Sequence, residues 1–405
     1  MEAHSWNKWK KVKLVEVAQS IKAGGTPKRT VDEYWKNGNI PWLKISDLKS
    51  TYIISSEEKV TEEGLNNSSA KLFPEGTILY SIFATLGAIG ILNFESATNQ
   101  AIAGIIPNNE IVDTKYLYYC LISEKKNIVA KKSRATQDNI NLKILKNHEI
   151  PLPPLKTQQK IVEVLEKAEK LKEYRAEADV LTDEYLKSVF LEMFGDPANN
   201  PKKWPLKKFK DLMVGTPQNG LYKNSSYYTE GEDGLPILRI DSFYDGKIEN
   251  IQNLKRIICT NEEINRFKLK NQNIVINRVN SIEYLGKCAL VEDLLEETVY
   301  ESNMMQIELN LSLINPVYLT KFLCTNYVHN QIINKAKKAV NQASINQKDV
   351  NSLNILLPPI ALQNQFAEIV KKVEQLKKHQ KQSKQEIDNL FNALMQKAFK
   401  GELTC

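Results

Sequence analysis

Short runs of hydrophobic residues, bounded by turn-forming residues, fill two long stretches of the chain, and a long amphipathic helix follows each stretch. The length of these runs and their boundaries predict strands. The strands predicted in the first stretch are Ile40–Ile45, Thr77–Phe83, Ala88–Leu92 and Ile102–Ile106, and those in the second are Ile237–Ile240, Asn273–Asn277 and Lys287–Val291. A helix is predicted next, at Lys115–Ile128 and at Pro316–Ala336. In each stretch a polar loop and a short strand ending in Leu-Pro-Pro lead to the long helix.

The two long helices have apolar residues at alternating spacings of three and four, which is the pattern of a coiled-coil seam. The first helix is predicted from about Leu155 to Phe194, where Gly195-Asp196-Pro197 stops it. The second begins after Pro358-Pro359. The predicted seams are Val164, Ala168, Leu171, Tyr174, Ala178, Leu181, Tyr185, Val189 and Met193 in the first helix, and Phe366, Ile369, Val373, Leu376, Gln380, Ser383, Ile387, Leu390 and Leu394 in the second. Each helix is a rod of about 60 Å, and such a seam on a charged helix needs a partner.

The same motifs occur twice in the same order, about 200 residues apart, which indicates an internal duplication. A segment that starts at Trp9 and ends in Gly25-Thr26-Pro27 corresponds to one that starts at Trp204 and ends in Gly215-Thr216-Pro217. Further along, Pro41–Ile45 matches Pro236–Ile240, Asn139-Ile140-Asn141 matches Ser344-Ile345-Asn346, and Pro153-Pro154 matches Pro358-Pro359. Chance similarity would not keep this order. The chain is therefore predicted to consist of two homologous halves.

Composition limits the class of protein. The 405 residues carry a net charge of +7, which permits a polyanionic partner without requiring one. The five cysteines are scattered and form no C-x-x-C pair, and the four histidines are equally dispersed, so we expect reduced thiols and no metal site. There is no apolar run long enough to span a membrane and no secretory signal in Met1–Lys13, so we expect a cytoplasmic protein.

The motifs of the common catalytic sites are missing. The sequence contains no phosphate-binding G-x-x-x-x-G-K-[ST], no G-x-G-x-x-G after a strand, no H-E-x-x-H and no G-x-S-x-G. It also lacks the Asn/Asp-Pro-Pro-Tyr/Phe tetrapeptide of amino-methyltransferases. We therefore expect a binding protein without a catalytic residue or a cofactor.

The polar loop before each Leu-Pro-Pro strand combines the two chemistries that DNA recognition requires. Lysine and arginine contact phosphates, while glutamine and asparagine match adenine and arginine matches guanine in the major groove. The DNA-binding candidates in the first half are Lys131, Lys132, Arg134, Gln137, Asn139 and Asn141, and those in the second are Lys335, Lys337, Lys338, Asn341, Gln342 and Asn346. A solvated connecting loop remains the alternative for each.

Weaker DNA-binding candidates lie elsewhere in the two halves. They are Lys28, Arg29 and Lys44 in the first half, and Asn219, Tyr222, Lys223, Arg239, Arg278 and Asn280 in the second. Lys44 and Arg239 occupy equivalent repeat positions, but either is equally compatible with a sheet surface. The lysine-rich part of the second long helix, from Lys371 to Lys384, is most simply its solvent face. A protein-binding surface and phosphate contact are the alternatives there.

The duplicated motifs resemble the specificity subunits of Type I restriction-modification systems. The most informative match is LPPLKTQQKIVEVLEKAEKL at Leu152–Leu171, repeated as LPPIALQNQFAEIVKKVEQL at Leu357–Leu376. The segment LMQKAFKGEL at Leu394–Leu403 is also similar to that family. The motifs are individually degenerate, but their ordered duplication covers essentially the whole chain.

This resemblance implies an α+β protein of two tandem repeats, each a mixed α/β target-recognition domain followed by a long helix, with the helices paired in an antiparallel coiled coil. The implied domains are recognition domains at 1–150 and 198–356 and spacer helices at 151–197 and 357–405. The resemblance further implies double-stranded DNA, two methyltransferase subunits and restriction endonuclease subunits as partners. The DNA target would be split into two half-sites with an unread gap. The resemblance does not identify the individual base contacts.

Other functions remain compatible with these residues. The nearest is a specificity subunit of a system in which nuclease and methyltransferase share one chain. A coiled-coil interaction scaffold without sequence-specific DNA binding comes from a different class, as does an enzyme with unrecognised motifs. Binding that survives competitor DNA would exclude the scaffold, and absence of turnover with S-adenosylmethionine or magnesium would exclude the enzyme.

Overall fold

The computed structural model describes residues 9–131, 139–231, 233–340 and 342–403. The chain divides into two compact units. Unit 1 comprises Met1–Glu177 and Lys381–Cys405, and unit 2 comprises Ala178–Gln380. Each unit therefore contains the mixed stretch of one repeat together with parts of both long helices.

The elements of the first repeat are short strands followed by helices of increasing length. The strands are β1 (Lys11–Lys13), β2 (Ala18–Ala23), β3 (Ile40–Leu43), β4 (Tyr52–Ile53), β5 (Glu58–Val60), β6 (Leu72–Phe73), β7 (Ile78–Ser81), β8 (Ile89–Leu92), β9 (Ser96–Thr98), β10 (Ile102–Pro107) and β11 (Glu149–Pro151). The helices are α1 (Leu14–Val17), α2 (Glu62–Asn66), α3 (Thr114–Ala130), α4 (Leu142–Lys146) and α5 (Leu155–Phe194), with 3₁₀ turns at Asp32–Tyr34 and Ile45–Asp47.

The second repeat has a similar order of elements. Its strands are β12 (Leu206–Lys208), β13 (Gln218–Asn219), β14 (Tyr228–Thr229), β15 (Leu235–Leu238), β16 (Phe243–Tyr244), β17 (Lys247–Ile248), β18 (Arg256–Ile257), β19 (Ile274–Asn277), β20 (Val279–Asn280), β21 (Cys288–Leu290), β22 (Val299–Tyr300), β23 (Met304–Ile307), β24 (Lys337–Lys338), β25 (Ala343–Ser344) and β26 (Asn354–Leu356). The helices are α6 (Asn261–Phe267), α7 (Pro316–Leu323), α8 (Asn326–Lys335), α9 (Gln347–Asn351) and α10 (Ile360–Lys400), with 3₁₀ turns at Phe209–Leu212, Ser225–Tyr227 and Ile251–Asn253.

The main sheets of the two units share the order of their central strands and differ at their edges. Unit 1 has a five-stranded sheet in the order β2-β10-β7-β8-β4 and a four-stranded sheet in the order β5-β3-β9-β6. Unit 2 has the corresponding four-stranded sheets β13-β23-β19-β21 and β14-β18-β15-β22. In both units the first strand of the repeat pairs with the strand that precedes the long helix, β1 with β11 and β12 with β26. The duplication predicted from sequence is thus visible in the strand order.

Each unit completes its core with the end of a helix from the other repeat. The end of α10 contributes Met395, Ala398 and Phe399 to the main core of unit 1, where Phe399 packs against Tyr116 with ring centroids 5.4 Å apart. The end of α5 contributes equivalent residues to the core of unit 2, where Phe194 packs 4.6 Å from Tyr318. Each repeat therefore depends on the other for its buried aromatic contacts.

A buried glutamine attaches the start of each long helix to its unit. The amide nitrogen of Gln158 donates to the Pro153 and Ile111 carbonyls, at 2.8 and 3.1 Å, and its oxygen accepts from Asp113 N at 2.8 Å. The side chain of Gln158 is completely buried. A buried amide needs such partners because an unsatisfied polar group is costly.

Gln363 makes the same three contacts in unit 2. Its amide nitrogen donates to Pro358 O at 2.7 Å and Leu313 O at 3.5 Å, and its oxygen accepts from Asn315 N at 2.8 Å. The glutamine that occurs near the start of both long helices therefore has a structural role: it connects each helix to the recognition stretch before it.

The predicted elements are largely confirmed. Every predicted strand is present, with ends shifted by at most two residues, and the first long helix ends at Phe194 as predicted. Gly195 has φ +80°, and its N–H donates to Leu191 O at 2.8 Å, which is how the glycine ends the helix. The single helix predicted at Pro316–Ala336 is wrong. It is broken into α7 and α8 because Thr325 adopts an extended conformation and its hydroxyl donates to Phe322 O.

The predicted seam of α5 is wrong at four positions. Leu171, Tyr174, Leu181 and Tyr185 are each about half exposed. The buried face of α5 in unit 2 runs through Thr182, Leu186, Val189 and Phe190. Thr182 accepts a hydrogen bond from the side-chain amide of Gln380 in α10 at 2.8 Å. The predicted seam of α10 agrees better, with only Leu376 and Leu390 exposed.

Candidate nucleic-acid interface

A small three-stranded sheet in unit 2 brings together two groups of predicted DNA-binding residues. Its strand order is β20-β25-β24. The central strand pairs Ser344 with Val279 on one side and with Lys337 on the other, so Val279–Asn280 and the strand that carries Lys337 and Lys338 form the two edges of the sheet. These two segments are about 60 residues apart in sequence, and only the fold brings them into one small sheet.

The β24–β25 hairpin presents its lysines to solvent. The side chains of Lys337 and Lys338 are exposed, and neither is ion-paired with a carboxylate of the residues that the structure describes. Ala339 N donates to Gln342 O at 2.8 Å and closes the turn. Asn341 lies outside the described residues. Two adjacent uncompensated lysines on a two-stranded ribbon suit a DNA groove edge, because such a ribbon fits the major groove.

The neighbouring residues of this sheet are more constrained. Arg278 is half-buried, and one of its terminal nitrogens donates to Ser302 O at 3.1 Å. The side-chain oxygen of Asn280 accepts from Ser281 N at 2.8 Å, which leaves its amide N–H groups for a ligand. Lys335 is half-buried at the end of α8.

Asn141 and Asn346 cap helices. The Asn141 oxygen accepts from Ile144 N at 2.8 Å at the start of α4, and the Asn346 oxygen accepts from Lys348 N and Asp349 N at the start of α9. Their repeated Ile-Asn pattern therefore has a structural cause. Since base readout of adenine by asparagine uses this same oxygen, the two residues are less suited to DNA contact than the hairpin lysines.

The equivalent loop of unit 1 is described only at its ends. Lys132, Arg134 and Gln137 lie outside the described residues. Lys131 ends α3, and its ammonium lies 3.4 Å from Nδ1 of the buried His148. At the other end Asn139 is half-buried, and Ile140 N donates to Ile82 O at 2.9 Å. The corresponding contact in unit 2 runs from Ile345 N to Arg278 O, also at 2.9 Å.

Arg29 and Lys44 of unit 1 meet at one carboxylate. Arg29 is paired with Glu58 at 2.5 Å, and its guanidinium lies 3.7 Å from the Trp35 ring centroid and 4.7 Å from that of Trp42. The Lys44 ammonium lies 3.2 Å from Glu58. The guanidinium of Arg29 is the main reason that the pKa of Glu58 is lowered. Both cations are thus neutralised within the unit.

Glu57 completes the charge balance of this cluster, whereas the neighbouring Lys28 takes no part in it. Lys44 also contacts Glu57 at 2.8 Å, and these hydrogen bonds raise the pKa of Lys44. Lys28 is exposed, and its carbonyl accepts from the Trp35 indole at 3.2 Å. Of the first-half candidates in this cluster, Lys28 alone has an exposed side chain without an ion pair among the described residues.

The corresponding candidates of unit 2 are similarly held. Lys223 is paired with Glu263 at 2.6 Å and donates to Ile258 O at 2.8 Å. Arg239 lies 3.8 Å from Asp241. Tyr222 is 80% exposed and therefore available to stack on a ligand.

The remaining candidate of this group is part of a sheet. Asn219 is exposed on β13, where its backbone pairs with Met305.

Sequence reasoning missed Lys287. Lys287 directly precedes β21. Its ammonium lies 3.7 Å from the Tyr244 ring centroid and 5.6 Å from that of Tyr284. Burial among these rings lowers the pKa of Lys287. The aromatic residues come from separate parts of the sequence, so no local motif could have indicated the cluster. Tyr284 belongs to the loop that follows β20 along the chain.

Two further findings concern the described residues as a set. No helix in this part of the chain combines the length and apolar character that a membrane span requires. In the same residues, no three His, Cys, Asp or Glu side chains come together as a metal ion would require.

Comparison with known families accounts for the duplicated fold. The sequence model of the Type I restriction modification DNA specificity domain matches residues 7–178 and again residues 201–389. The chain belongs to this family. The double match confirms the duplication predicted from sequence.

Individual relatives agree with that assignment over nearly their full length. The chain is 26% identical to the Type I restriction enzyme EcoKI specificity subunit of Escherichia coli K12, over 92% of this chain and 84% of the relative. It is 25% identical to the MjaIX specificity subunit of Methanocaldococcus jannaschii, over 97% and 93%.

Solved structures have the same fold. A chain from a study of complex assembly and conformational transition in the type I R-M system aligns with a TM-score of 0.67 at 20% identity, covering 98% of both chains. The S subunit of a Type I restriction-modification system from M. genitalium aligns with a TM-score of 0.55 at 15% identity, also covering 98% of both.

Proposed function

We propose that this chain, as the non-catalytic specificity subunit of a Type I restriction-modification complex, reads a bipartite DNA target through two recognition domains. The domains are residues 1–150 and 198–356, and each reads one half-site. Their candidate residues differ between the halves, as Lys28-Arg29 and Gln218-Asn219 illustrate. The target is therefore asymmetric.

The observation that carries this proposal is the β20-β25-β24 sheet of unit 2. It combines exposed, uncompensated lysines with Asn280, whose amide N–H groups are available, and Gln342 at the hairpin turn. Lysines supply phosphate contact, and the amide side chains supply hydrogen bonds to base edges. In contrast, Arg29, Lys44 and Lys223 are neutralised by nearby carboxylates. We assign these three a structural role with secondary DNA contact.

The long helices, residues 151–197 and 357–405, form an antiparallel coiled coil that sets the unread gap. Contacts within each unit support this pairing. In unit 1, Lys172 of α5 is paired with Asp388 of α10 at 2.8 Å, while residues nearer the start of α5 share a core with residues nearer the end of α10. In unit 2, Asp183 is paired with Lys377 at 2.5 Å and Phe190 packs on Phe366. Both sets of contacts have the antiparallel sense.

Two methyltransferase subunits and the restriction endonuclease subunits assemble on this scaffold in the cytoplasm. In unit 2 the solvent-exposed part of α5 carries Val180, Leu181, Tyr185 and Leu191, each more than half exposed. Several exposed large apolar side chains on one helix favour a protein interface. We assign it to methyltransferase docking, which explains why the seam predicted from sequence runs through it.

A comparison of two lysine pairs tests the assignment of the DNA interface. Lys337→Ala/Lys338→Ala removes two charges from the hairpin, and Lys371→Ala/Lys372→Ala removes two from the exposed face of α10. We expect the hairpin variant of the assembled complex to bind target DNA more weakly and to reduce the salt slope of log affinity by about one per lost phosphate contact. The α10 variant keeps the wild-type affinity. Equal losses would contradict a specific role for the hairpin.

Competitor DNA separates this function from its main alternative. If the chain is a coiled-coil scaffold that binds DNA only through its positive charge, excess non-specific DNA should displace the labelled target from it. If the chain reads sequence, the labelled target should stay bound, because specific sites bind about 10³-fold or more tighter than non-specific DNA.

A further inference from the structure

Two cysteines of unit 2 lie side by side although they are distant in sequence. Cys288 is the first residue of β21, and Cys324 is the C-terminal cap of α7. Their sulfur atoms are 3.8 Å apart. Cys120 of unit 1 is buried, and Cys259 is half-buried.

The two neighbouring thiols have different environments. Cys288 is buried, whereas Cys324 is an exposed residue. A hydrogen bond with Cys288 lowers the pKa of Cys324 by more than the partial burial of the thiol raises it, and the nearby Lys321 ammonium adds a smaller lowering. Burial raises the pKa of both Cys120 and Cys259. Since the thiolate is the reactive form, Cys324 is the described cysteine best suited to attack a reagent from solvent.

We propose that Cys324 and Cys288 form a thiol–disulfide exchange site for small disulfides of the glutathione class. Cys324 is the attacking thiol and Cys288 is the resolving thiol. This pairing of an accessible, activated thiol with an adjacent second cysteine is the arrangement expected of a redox-sensitive site. The property is additional to DNA recognition and does not depend on it.

The exchange proceeds in two balanced steps. The Cys324 thiolate attacks one sulfur of the small disulfide, whose S–S bond breaks and releases one small thiol after protonation. The Cys288 thiol then gives up its proton to solvent and attacks the Cys324 sulfur, which breaks the mixed disulfide and releases the second small thiol. Two protein thiols are oxidised to one disulfide, and one small disulfide is reduced to two thiols.

The local packing leaves room for this bond. The sulfur atoms must approach from 3.8 Å to about 2.05 Å. Gly246 faces the pair: a Cβ at this residue would lie 3.5 Å from the Cys324 sulfur and 2.7 Å from Thr320 Cγ2. Gly246 also has φ +86°, which disfavours any side chain there. The glycine therefore keeps the space beside Cys324 open.

The bond would connect the two segments that carry the candidate DNA interface. The loop before β21 begins at β20, and the chain after Cys324 continues through α8 to β24. A Cys288–Cys324 disulfide would thus fasten both supports of the β20-β25-β24 sheet to each other.

Peptide mapping of the intact chain tests the proposal. The protein is incubated with glutathione disulfide, blocked with iodoacetamide and cut with trypsin. Lys287 and Lys321 place the two cysteines in separate peptides, Cys288–Lys321 and Phe322–Lys335. We expect these peptides to be disulfide-linked, and we expect Cys324 to react measurably faster than Cys259, because the pKa of Cys324 is lowered and that of Cys259 is raised.

Variants separate the two roles. Cys288→Ala should stop the reaction at a glutathione adduct on Cys324, and Cys324→Ser should abolish the link while the melting temperature stays near that of the wild type. A stable glutathione adduct on wild-type Cys324 would overturn the proposal. So would a bond from Cys324 to Cys405, or reaction of Cys324 and Cys259 at equal rates.

Discussion

Single buried side chains decide how each recognition stretch is attached to its helix. Gln363 is completely buried and satisfies one backbone N–H and two carbonyls. Gln365, two residues further along α10, is exposed. The same substitution at these two positions therefore distinguishes a connector from a surface residue.

We expect Gln363→Leu to destabilise unit 2 by about 1–3 kcal/mol, because leucine leaves the Asn315 N–H and the Pro358 carbonyl without partners. Gln365→Leu should change stability by less than about 0.5 kcal/mol. Thermal unfolding of both variants makes the comparison. Equal melting temperatures for the two variants would show that the buried amide is dispensable.

The carboxylate of Glu124 makes stability depend on pH. It faces Nε2 of the buried His148 at 3.1 Å and accepts from Asn127 at 2.8 Å. The bond to His148 is the main reason that the pKa of Glu124 is lowered from 4.5. A carboxylate whose pKa is lower in the folded state than in the unfolded state stabilises the protein. This stabilisation is complete at pH values above the unfolded-state pKa, and it is lost as the pH falls through the folded-state pKa.

We therefore expect Glu124→Gln to lower the melting temperature by a constant amount above pH 4.5. Below that pH the difference from the wild type should shrink, because the wild-type carboxylate also becomes neutral. Melting curves over this range measure the difference. A gap that widens on acidification would contradict the sign of this effect.

At the scale of single residues, the sequence identified polar and charged side chains that suit DNA binding, but it did not show which of them have structural roles instead. It placed Asn141 and Asn346 with the base-reading candidates, yet both oxygens cap helices. Arg29 and Lys44 were separate candidates, and the structure joins them through Glu58. Side-chain partners such as Glu58 come from other strands, so residue types alone could not distinguish a neutralised cation from a free one.

The long helices were the most predictable elements. Periodicity and the flanking proline and glycine residues placed both within a few residues. Periodicity did not identify the buried face of α5, because two apolar stripes lie on that helix. Thr182, a polar residue, occupies the buried one and pairs with Gln380, whereas Leu181 and Tyr185 are exposed.

Helix length gives a prediction at this scale. Inserting four residues into each long helix lengthens the rod by about 6 Å, which is a little under two base pairs at about 3.4 Å each. The gap in the methylated target should grow by one or two base pairs, as methylation mapping of the variant would reveal. Insertion in only one helix is the control and should disrupt the pairing. A target with an unchanged gap would exclude the helices as the spacer.

At the scale of the whole molecule, the repeat was predictable from the sequence. The exchange of helix ends, in which the end of each long helix completes the core of the other repeat's unit, was not predictable. Ordered motifs revealed two halves, because homologous sequences keep their order. The packing of Phe399 on Tyr116 and of Phe194 on Tyr318 joins residues from different repeats. Such long-range contacts leave no local signal in the sequence.

This exchange predicts a reciprocal pattern of damage. Phe399→Ala should destabilise unit 1, and Phe194→Ala should destabilise unit 2, each by about 3–5 kcal/mol through loss of a buried aromatic side chain. Hydrogen exchange should therefore accelerate in α3 for the first variant and in α7 for the second. Each variant is the control for the other. Acceleration in the same unit for both would contradict the exchange of helix ends.

The central claim is that two domains of one chain read two half-sites at a fixed separation. The most direct measurement is a genome-wide map of methylated adenines in cells that express this chain with its methyltransferase, repeated after residues 198–356 are replaced by those of a relative. We predict an asymmetric split motif with a constant gap, in which the replacement changes one half-site and leaves the other intact. A continuous motif, or a replacement that changes both halves or neither, would contradict the account.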